Sequence, residues 1–319
     1  MPPLVTVILT VYKRTEYIRQ AIDCVLAQTF RDFEILVTDD SDNAVIQSIC
    51  SDYSGSGLIQ YRSNQPRLGV VGNLKAAIAE TKGKYISILN DDDFWSPTFL
   101  ETLVAALETH PDCVLAFSDI WIVDSTGQVD ANGTEKTSAL YLRDKLAEGV
   151  HHDAPRLVVE SNSITTAMGS VFLRSALKID DIAPEAAGSY DFWVACLLAA
   201  TGRPFYYIPD RLTYYRVHPA METARQDADC ADSIAFTSSE MLRRDFFPDM
   251  RPAIEKGLAR ALFVSGLMKL RYGNAADARS AFINALKLRF APKPLAGVVI
   301  SFLPHPILSK LSKLSFGKG

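Results

Sequence analysis

Cysteine is scarce: five residues (Cys24, Cys50, Cys113, Cys196, Cys230) in 319, scattered and without a CxxC pair. Such a set supports neither a disulfide framework nor a thiolate zinc site, and it suits a reducing compartment. An excess of positive charge is also missing. Lys plus Arg total 33 against 37 Asp plus Glu, a formal net charge of −4, so the basic field of a nucleic-acid binder is absent. No uninterrupted apolar run approaches the about 18 residues of a membrane-spanning helix. The first eleven residues have no basic n-region and are broken by Thr6 and Thr10; they read as a buried strand and not as a signal peptide. No GxxxxGK phosphate loop, dinucleotide GxGxxG, HExxH or GxSxG occurs, which argues against P-loop, NAD, zincin and α/β-hydrolase chemistry. With 48% apolar and 22% charged residues the chain is nonetheless an ordinary folded protein, of one large domain or two.

What is present begins with alternation. Leu4–Val11 is an apolar β-rich run, and Thr15–Leu26 carries helical spacing. Phe33–Thr38 is a second buried strand, Ala44–Tyr53 a helix, Leu58–Arg62 a short strand and Val70–Thr81 a helix. Tyr85–Leu89 is again strand, Pro97 opens a helix, and Cys113–Phe117 is strand. Strands without clean alternation, each followed by a helix, predict a parallel sheet covered on both faces. Ligands of such sheets bind beyond the carboxyl ends of the strands. Two acidic clusters fall there: Asp39-Asp40-Ser41-Asp42 and Asn90-Asp91-Asp92-Asp93. Carboxylates so placed suit a divalent cation with substrate phosphates; a solvated turn or helix cap is the plain alternative. Loops are expected around 127–137 and 149–155, then a helix over 190–200 and strand runs at Phe205–Ile208 and Leu212–Val217. Beyond His218 the composition turns helical, as a plain bundle.

Over roughly residues 4–218 the motifs fall in one order. They are Val7-Ile8-Leu9-Thr10-Val11-Tyr12-Lys13, Gln28-Thr29-Phe30, Phe33 to Ser41, Gly69 with Asn73, Gly83-Lys84-Tyr85-Ile86, Leu89 to Trp95, and Tyr215-Arg216-Val217-His218. In this the chain resembles glycosyltransferase family 2. The resemblance implies an α/β GT-A fold, a Rossmann-like nucleotide-binding sheet fused to an acceptor-binding half. Domain bounds of 1–220 for that part and 221–319 for a C-terminal helical region follow.

The resemblance also implies roles. Thr10 and Tyr12 would line the nucleobase pocket, Asp40 would accept a hydrogen bond from the base, and Asn73 and Asp91 would complete the nucleotide site. Asp92 would bind Mn²⁺ or Mg²⁺ as part of a DXD motif, although Asn90 stands where that motif has its first Asp. Arg216 and His218 are candidate diphosphate contacts, Arg216 equally a structural ion-pair partner. Asp191 is the candidate base, with Ser189 where the family often has its catalytic Asp; Asp191 also reads as a helix N-cap, and Glu185 and Asp119 are the reserves. The implied activity is an inverting transfer of a sugar, of hexosyltransferase type, from a nucleotide-sugar, favoured as UDP-linked, to an acceptor hydroxyl in polysaccharide or lipid-linked glycan synthesis. A nucleotidyltransferase and a catalytically silent nucleotide-sugar-binding scaffold are the rivals. After Asp277 come seven basic residues and no acid (Arg279, Lys287, Arg289, Lys293, Lys310, Lys313, Lys318), beside apolar Val298–Leu303 and Ile307, Leu308, Leu311 and Leu314. A basic amphipathic tail suits an anionic bilayer surface, so the expected location is cytoplasmic and peripheral to the membrane.

Overall fold

The apolar runs become β1 (Val5–Val11), β2 (Phe33–Asp39), β3 (Ile59–Ser63) and β4 (Tyr85–Asn90) of one sheet. The computed structural model describes residues 2–41, 44–164, 167–218 and 228–303. Val5, Val7, Ile8 and Leu9 are all fully buried, so both faces of β1 are covered. That is why its pattern is continuous and not alternating. Helix α1 (Ile18–Leu26) buries Ile18, Ala21, Ile22 and Val25, one face at i, i+3, i+4 and i+7. Helices α2 (Ala44–Ser51), α3 (Gly69–Glu80) and α4 (Phe99–Thr109) follow β2, β3 and a two-residue strand β5 (Phe94–Trp95).

The remaining strands are β6 (Leu115–Val123), β7 (Gly149–His151), β8 (Ser170–Leu173) and β9 (Phe205–Arg216). The order is β3-β2-β1-β4-β8-β6-β9-β5, with β7 also on β9. The β3-β2-β1-β4 half is parallel, whereas β8 runs antiparallel to both β4 and β6. The two strand runs after residue 204 are one strand, whose register against β6 shifts around Asp119.

Two expected loops are structured. Residues 131–140 form α5 (Ala131–Leu140), capped by Asp130, whose carboxylate accepts the Gly133 N–H. Its buried face consists of hydroxyls: Thr134 Oγ1 accepts the Ile122 N–H at 3.0 Å, and Ser138 donates to Asp119 at 2.7 Å. An apolar period cannot reveal a helix seated by Thr and Ser. The 149–155 stretch supplies β7 and the start of α6 (Ala154–Val159), and α7 (Tyr190–Ala199) falls where a helix was expected.

The chain divides into two compact units, Met1–Pro184 with Tyr190–Met221, and Glu185–Ser189 with Glu222–Gly319. The second is helical: α8 (Ala228–Arg243), α9 (Arg251–Arg271), α10 (Ala275–Leu288) and α11 (Pro292–Ile300). Phe282 of α10 is fully buried. A Cβ added to Gly266 or Gly297 would come within 2.5 or 2.8 Å of its ring, so both glycines are needed for α9 and α11 to close on it. Lys310, Lys313, Lys318 and the apolar tail residues beyond 303 lie outside the described residues, as does Asp42 of the first acidic cluster.

Candidate active site

Register brings the acidic clusters to one edge. Thr10 lies beside Thr38 on β2 and Asn90 on β4, and Val11 beside Asp39. The carboxyl ends of three adjacent parallel strands therefore deliver Tyr12–Arg14, Asp39–Ser41 and Asn90–Asp93 together, where such sheets bind ligands.

The acid turn is buried: Asp91, Asp92 and Asp93 are 1%, 7% and 2% exposed. Buried charge requires partners, and each carboxylate has them, Arg14 serving two. Asp91 takes Arg14 Nε and Nη2 on Oδ1 at 2.9 and 2.6 Å, and the Tyr12 backbone N–H on Oδ2 at 3.1 Å. Asp92 Oδ2 is 2.9 Å from Arg14 Nη1 and 3.1 Å from His218 Nε2. Asp93 accepts the Arg216 backbone N–H at 3.0 Å and the Asn90 amide at 3.2 Å. Burial pushes the Asp91 carboxyl up to about 7, against the pull of Arg14. Burial and the charge of Asp92 raise Asp93 well above the ordinary range.

Arg216 is held by main-chain and amide oxygens. Its guanidinium donates to the carbonyls of Asp92 (2.8 Å), Asp124 (3.2 Å) and Ser125 (3.0 Å) and to Gln20 Oε1 (2.6 Å). It is buried, over the ring of Tyr17. It clamps the acid turn through main-chain oxygens, and among the described residues no carboxylate pairs with its side chain.

Asp40 is buried where β2 ends. Its oxygens accept the Leu68 N–H (2.8 Å), the Gly69 N–H (2.9 Å) and the Asn64 amide (3.1 Å), with Arg67 Nε 3.8 Å from Oδ2. Gly69 adopts φ +73° to offer its N–H, a conformation that favours glycine. Oδ2 thus takes one hydrogen bond and retains acceptor capacity. Asn73 is buried inside the same network: its amide donates to the Thr38 carbonyl, and its oxygen accepts from Thr38 and Asn64. It braces the end of β2. The Tyr12 ring carries the Arg67 guanidinium at 4.4 Å and Lys13 Nζ at 5.0 Å, a cationic rim.

Asp191 is the second residue of α7, half-buried, in the first turn and not at the N-cap. Burial raises its carboxyl, while backbone N–H groups at Phe192 and at Asp191 itself pull the other way. The adjacent Tyr190 hydroxyl donates to Asn90 Oδ1 at 3.3 Å. Burial raises that phenol, and the charges of Asp191, Asp93, Asp92 and Asp91 raise it further; α7 therefore begins within the field of the acid turn. The reserve bases fare differently. Asp119 is buried between Arg143 (2.9 Å) and Arg211 (3.2 Å), and Glu185 is exposed on a short 3-10 turn.

Arg14, Tyr17, Asn64, Arg67 and Tyr190 escaped the reading from sequence. For Arg14 a signal existed: it follows β1, whose neighbour β4 ends in the acids. Among the described residues no group of three or more His, Cys, Asp or Glu could hold a metal ion. Asp92 and His218 do form a pair of the right donor type. The two stand at hydrogen-bond distance, 3.1 Å, the imidazole N–H donating to the carboxylate, so ligation by both would release that proton. Hard divalent ions commonly take one or two carboxylates and complete the shell with substrate phosphates and water, which Asp92 suits.

Among known proteins, the profile described as Glycosyl transferase family 2 matches residues 6–177. An uncharacterised glycosyltransferase of Methanocaldococcus jannaschii is 27% identical over 224 residues, 67% of this chain and 71% of that one. S. aureus TarS superposes at TM-score 0.67 and 16% identity, over 99% of this chain, which spans only 54% of that TarS chain. TarS 1-349 in complex with UDP-GlcNAc gives 0.66 at 15% identity, over 99% of this chain and 89% of its own. The mannosyltransferase PcManGT of Pyrobaculum calidifontis, in complex with GDP-Man and Mn2+, gives 0.56 at 16%, over 100% and 89%. At such identities these structures establish the fold, which is GT-A.

Proposed function

The chain belongs to glycosyl transferase family 2, and from that premise we propose an inverting transfer of a sugar from a UDP-sugar to an acceptor hydroxyl. One observation carries it: Asp92 with His218, and Asp40, lie at the carboxyl ends of β4 and β2, and α7, whose second residue is Asp191, is tied to the end of β4 through Tyr190 and Asn90. Thr10 and Tyr12 line the base pocket, and Asp40 Oδ2 accepts the N3–H of uracil. The UDP-GlcNAc complex of TarS supports the choice of base; the GDP-Man complex of PcManGT names the competitor. Asn73 and Arg216 act as positioning residues, Asn73 by fixing Asn64 beside Asp40, Arg216 by fixing the acid turn. Asp91 orients Arg14 and the Tyr12 backbone.

Asp191 accepts the proton of the acceptor hydroxyl as its oxygen attacks the anomeric carbon and the bond to the diphosphate oxygen breaks. A single in-line displacement inverts that carbon. Asp92, with His218, would hold a divalent cation, Mn²⁺ or Mg²⁺, which when bound would offset the negative charge of the departing diphosphate. The setting is polysaccharide or lipid-linked glycan assembly in the cytoplasm. No helix among the described residues is long and apolar enough to cross a membrane, and we assign peripheral contact to the C-terminal tail. Exposed Phe290, Val299 and Phe302 beside Lys287, Arg289 and Lys293 support that assignment.

The test is a thermal-shift panel of UDP, GDP, TDP and CMP with and without Mn²⁺, followed by transfer assays with the matching nucleotide-sugars. Ligands that bind only the folded state raise its stability. UDP with Mn²⁺ should give the largest shift; a larger one with GDP overturns the uridine assignment, and an equal one in EDTA overturns the cation.

A further inference from the structure

Asp92 Oδ2, the atom assigned to the cation, is already engaged by Arg14 Nη1 at 2.9 Å. The same guanidinium grips Asp91 Oδ1 through Nε and Nη2, so one cation bridges two buried carboxylates. Arg14 is the most accessible of the three: its side chain is 23% exposed, against 2% for Asp91 and 10% for Asp92. Arg216 does not share this task, because its guanidinium is spent on main-chain carbonyls and Gln20. Lys13 extends over the Tyr12 ring.

We propose that Arg14 is an exchangeable counter-ion. It neutralises Asp92 in the nucleotide-free protein, cedes that oxygen to the divalent cation when the nucleotide diphosphate arrives, and keeps its hold on Asp91. The inference rests on the reading of Asp92 and His218 as cation ligands. A cation entering alone must displace a charge-assisted hydrogen bond, among the stronger kinds, and then sit beside the guanidinium it displaced. Like charges in a poorly solvated site repel strongly. A diphosphate relieves both costs, since its oxygens accept the freed Nη1 N–H groups and its charge offsets the added cation. Cation and nucleotide binding are therefore coupled, and the coupling is reciprocal. The device lowers cation affinity until the donor is present.

The experiment measures Mn²⁺ binding to the full chain by EPR of the free ion, without nucleotide and with UDP. It compares the wild type with Arg14→Gln, Arg14→Lys and Asp92→Asn. Without UDP, Arg14→Gln should bind Mn²⁺ at least about tenfold more tightly than the wild type, about 1.4 kcal/mol, and the gain in affinity on adding UDP should shrink. Arg14→Lys should fall between them, because an ammonium keeps the charge but lacks the fork that spans two carboxylates; it also carries the test if Arg14→Gln does not fold. If neither Arg14 variant gains nucleotide-free affinity while Asp92→Asn abolishes Mn²⁺ binding, the counter-ion proposal alone is overturned. Wild-type Mn²⁺ binding by Asp92→Asn, or no binding by any chain even with UDP, overturns the cation reading beneath it.

Discussion

Replacing Asp191 by Asn exchanges one carboxylate oxygen for an amide at nearly constant volume, so the effect on catalysis separates from the effect on packing. A positioned general base contributes about 100- to 10,000-fold, about 2.7–5.4 kcal/mol of barrier at 1.36 kcal/mol per decade. Turnover of the variant should fall within that range, with UDP affinity unchanged. Two pH signatures follow from the upward displacement of the Asp191 carboxyl by burial. The base works when ionised, so wild-type turnover should drop as pH falls through the raised value, above the ordinary Asp range near about 4. Stability has the opposite sign. Between the unfolded and the raised native value the native state holds the extra proton, so stability falls as pH rises through that window and is level above it. Asp191→Asn should flatten the slope and leave the protein at least as stable as the wild type at neutral pH. Initial rates against pH, with urea melts of both proteins across the same range, read all of this. Transfer by the variant within tenfold of wild type refutes Asp191 as the base.

Asp40→Ala strips acceptors from three donors, the buried Asn64 amide and the backbone N–H groups of Leu68 and Gly69. It should cost about 1.5–3 kcal/mol of stability by urea melt and weaken UDP with or without Mn²⁺; an unaltered urea midpoint and dissociation constant would refute both roles. Gly83→Ala places a Cβ 2.5 Å from the Thr6 backbone N and 2.8 Å from the Tyr85 carbonyl oxygen. That overpacking of rigid main chain should destabilise by about 1–3 kcal/mol, and a wild-type melt would contradict it. For the tail, full-length protein should float with anionic vesicles at low salt, and a chain ending at Leu303, which leaves α11 whole, should float less; equal recovery ends the assignment to the segment beyond 303.

The sheet half built from β1 to β4 was legible because its strands are buried on both faces and its helices carry an apolar stripe. Legibility failed where polar groups do the packing. Helix α5 seats Thr134 and Ser138, and Asp119 sits at a register shift between two arginines, a combination with no period to read. The motifs divide in a similar way. Gln28 donates to the carbonyls of Cys24 and Ser96 and accepts the Leu100 N–H, so it splices the end of α1 to the start of α4. Gly83 lets β4 lie against β1. Both belong to the ordered set that pointed to the family, yet both serve the fold. The sequence pattern identified where the acids lie but not their partners, since Arg14 and His218 reach Asp92 from 78 residues before it and 126 after it.

Asn90 joins these two kinds of residue, and its side chain accounts for the departure from the two-aspartate pattern. Its oxygen accepts from Thr10 on β1 and from Tyr190 at the start of α7, and its amide donates to Asp93. An aspartate here would still accept from both hydroxyls, but it would face Asp93 with an oxygen in place of a donor. Two carboxylates 3.2 Å apart, one of them already displaced upward by burial, cannot both ionise at modest cost. The neutral amide removes that conflict while keeping the geometry. It ties the strand that carries Tyr12, the helix that carries Asp191 and the turn that carries Asp92 to one atom group. Charge that a first aspartate would have brought to the turn is therefore absent, and Arg14 spans two of the three carboxylates that remain, Asp91 and Asp92.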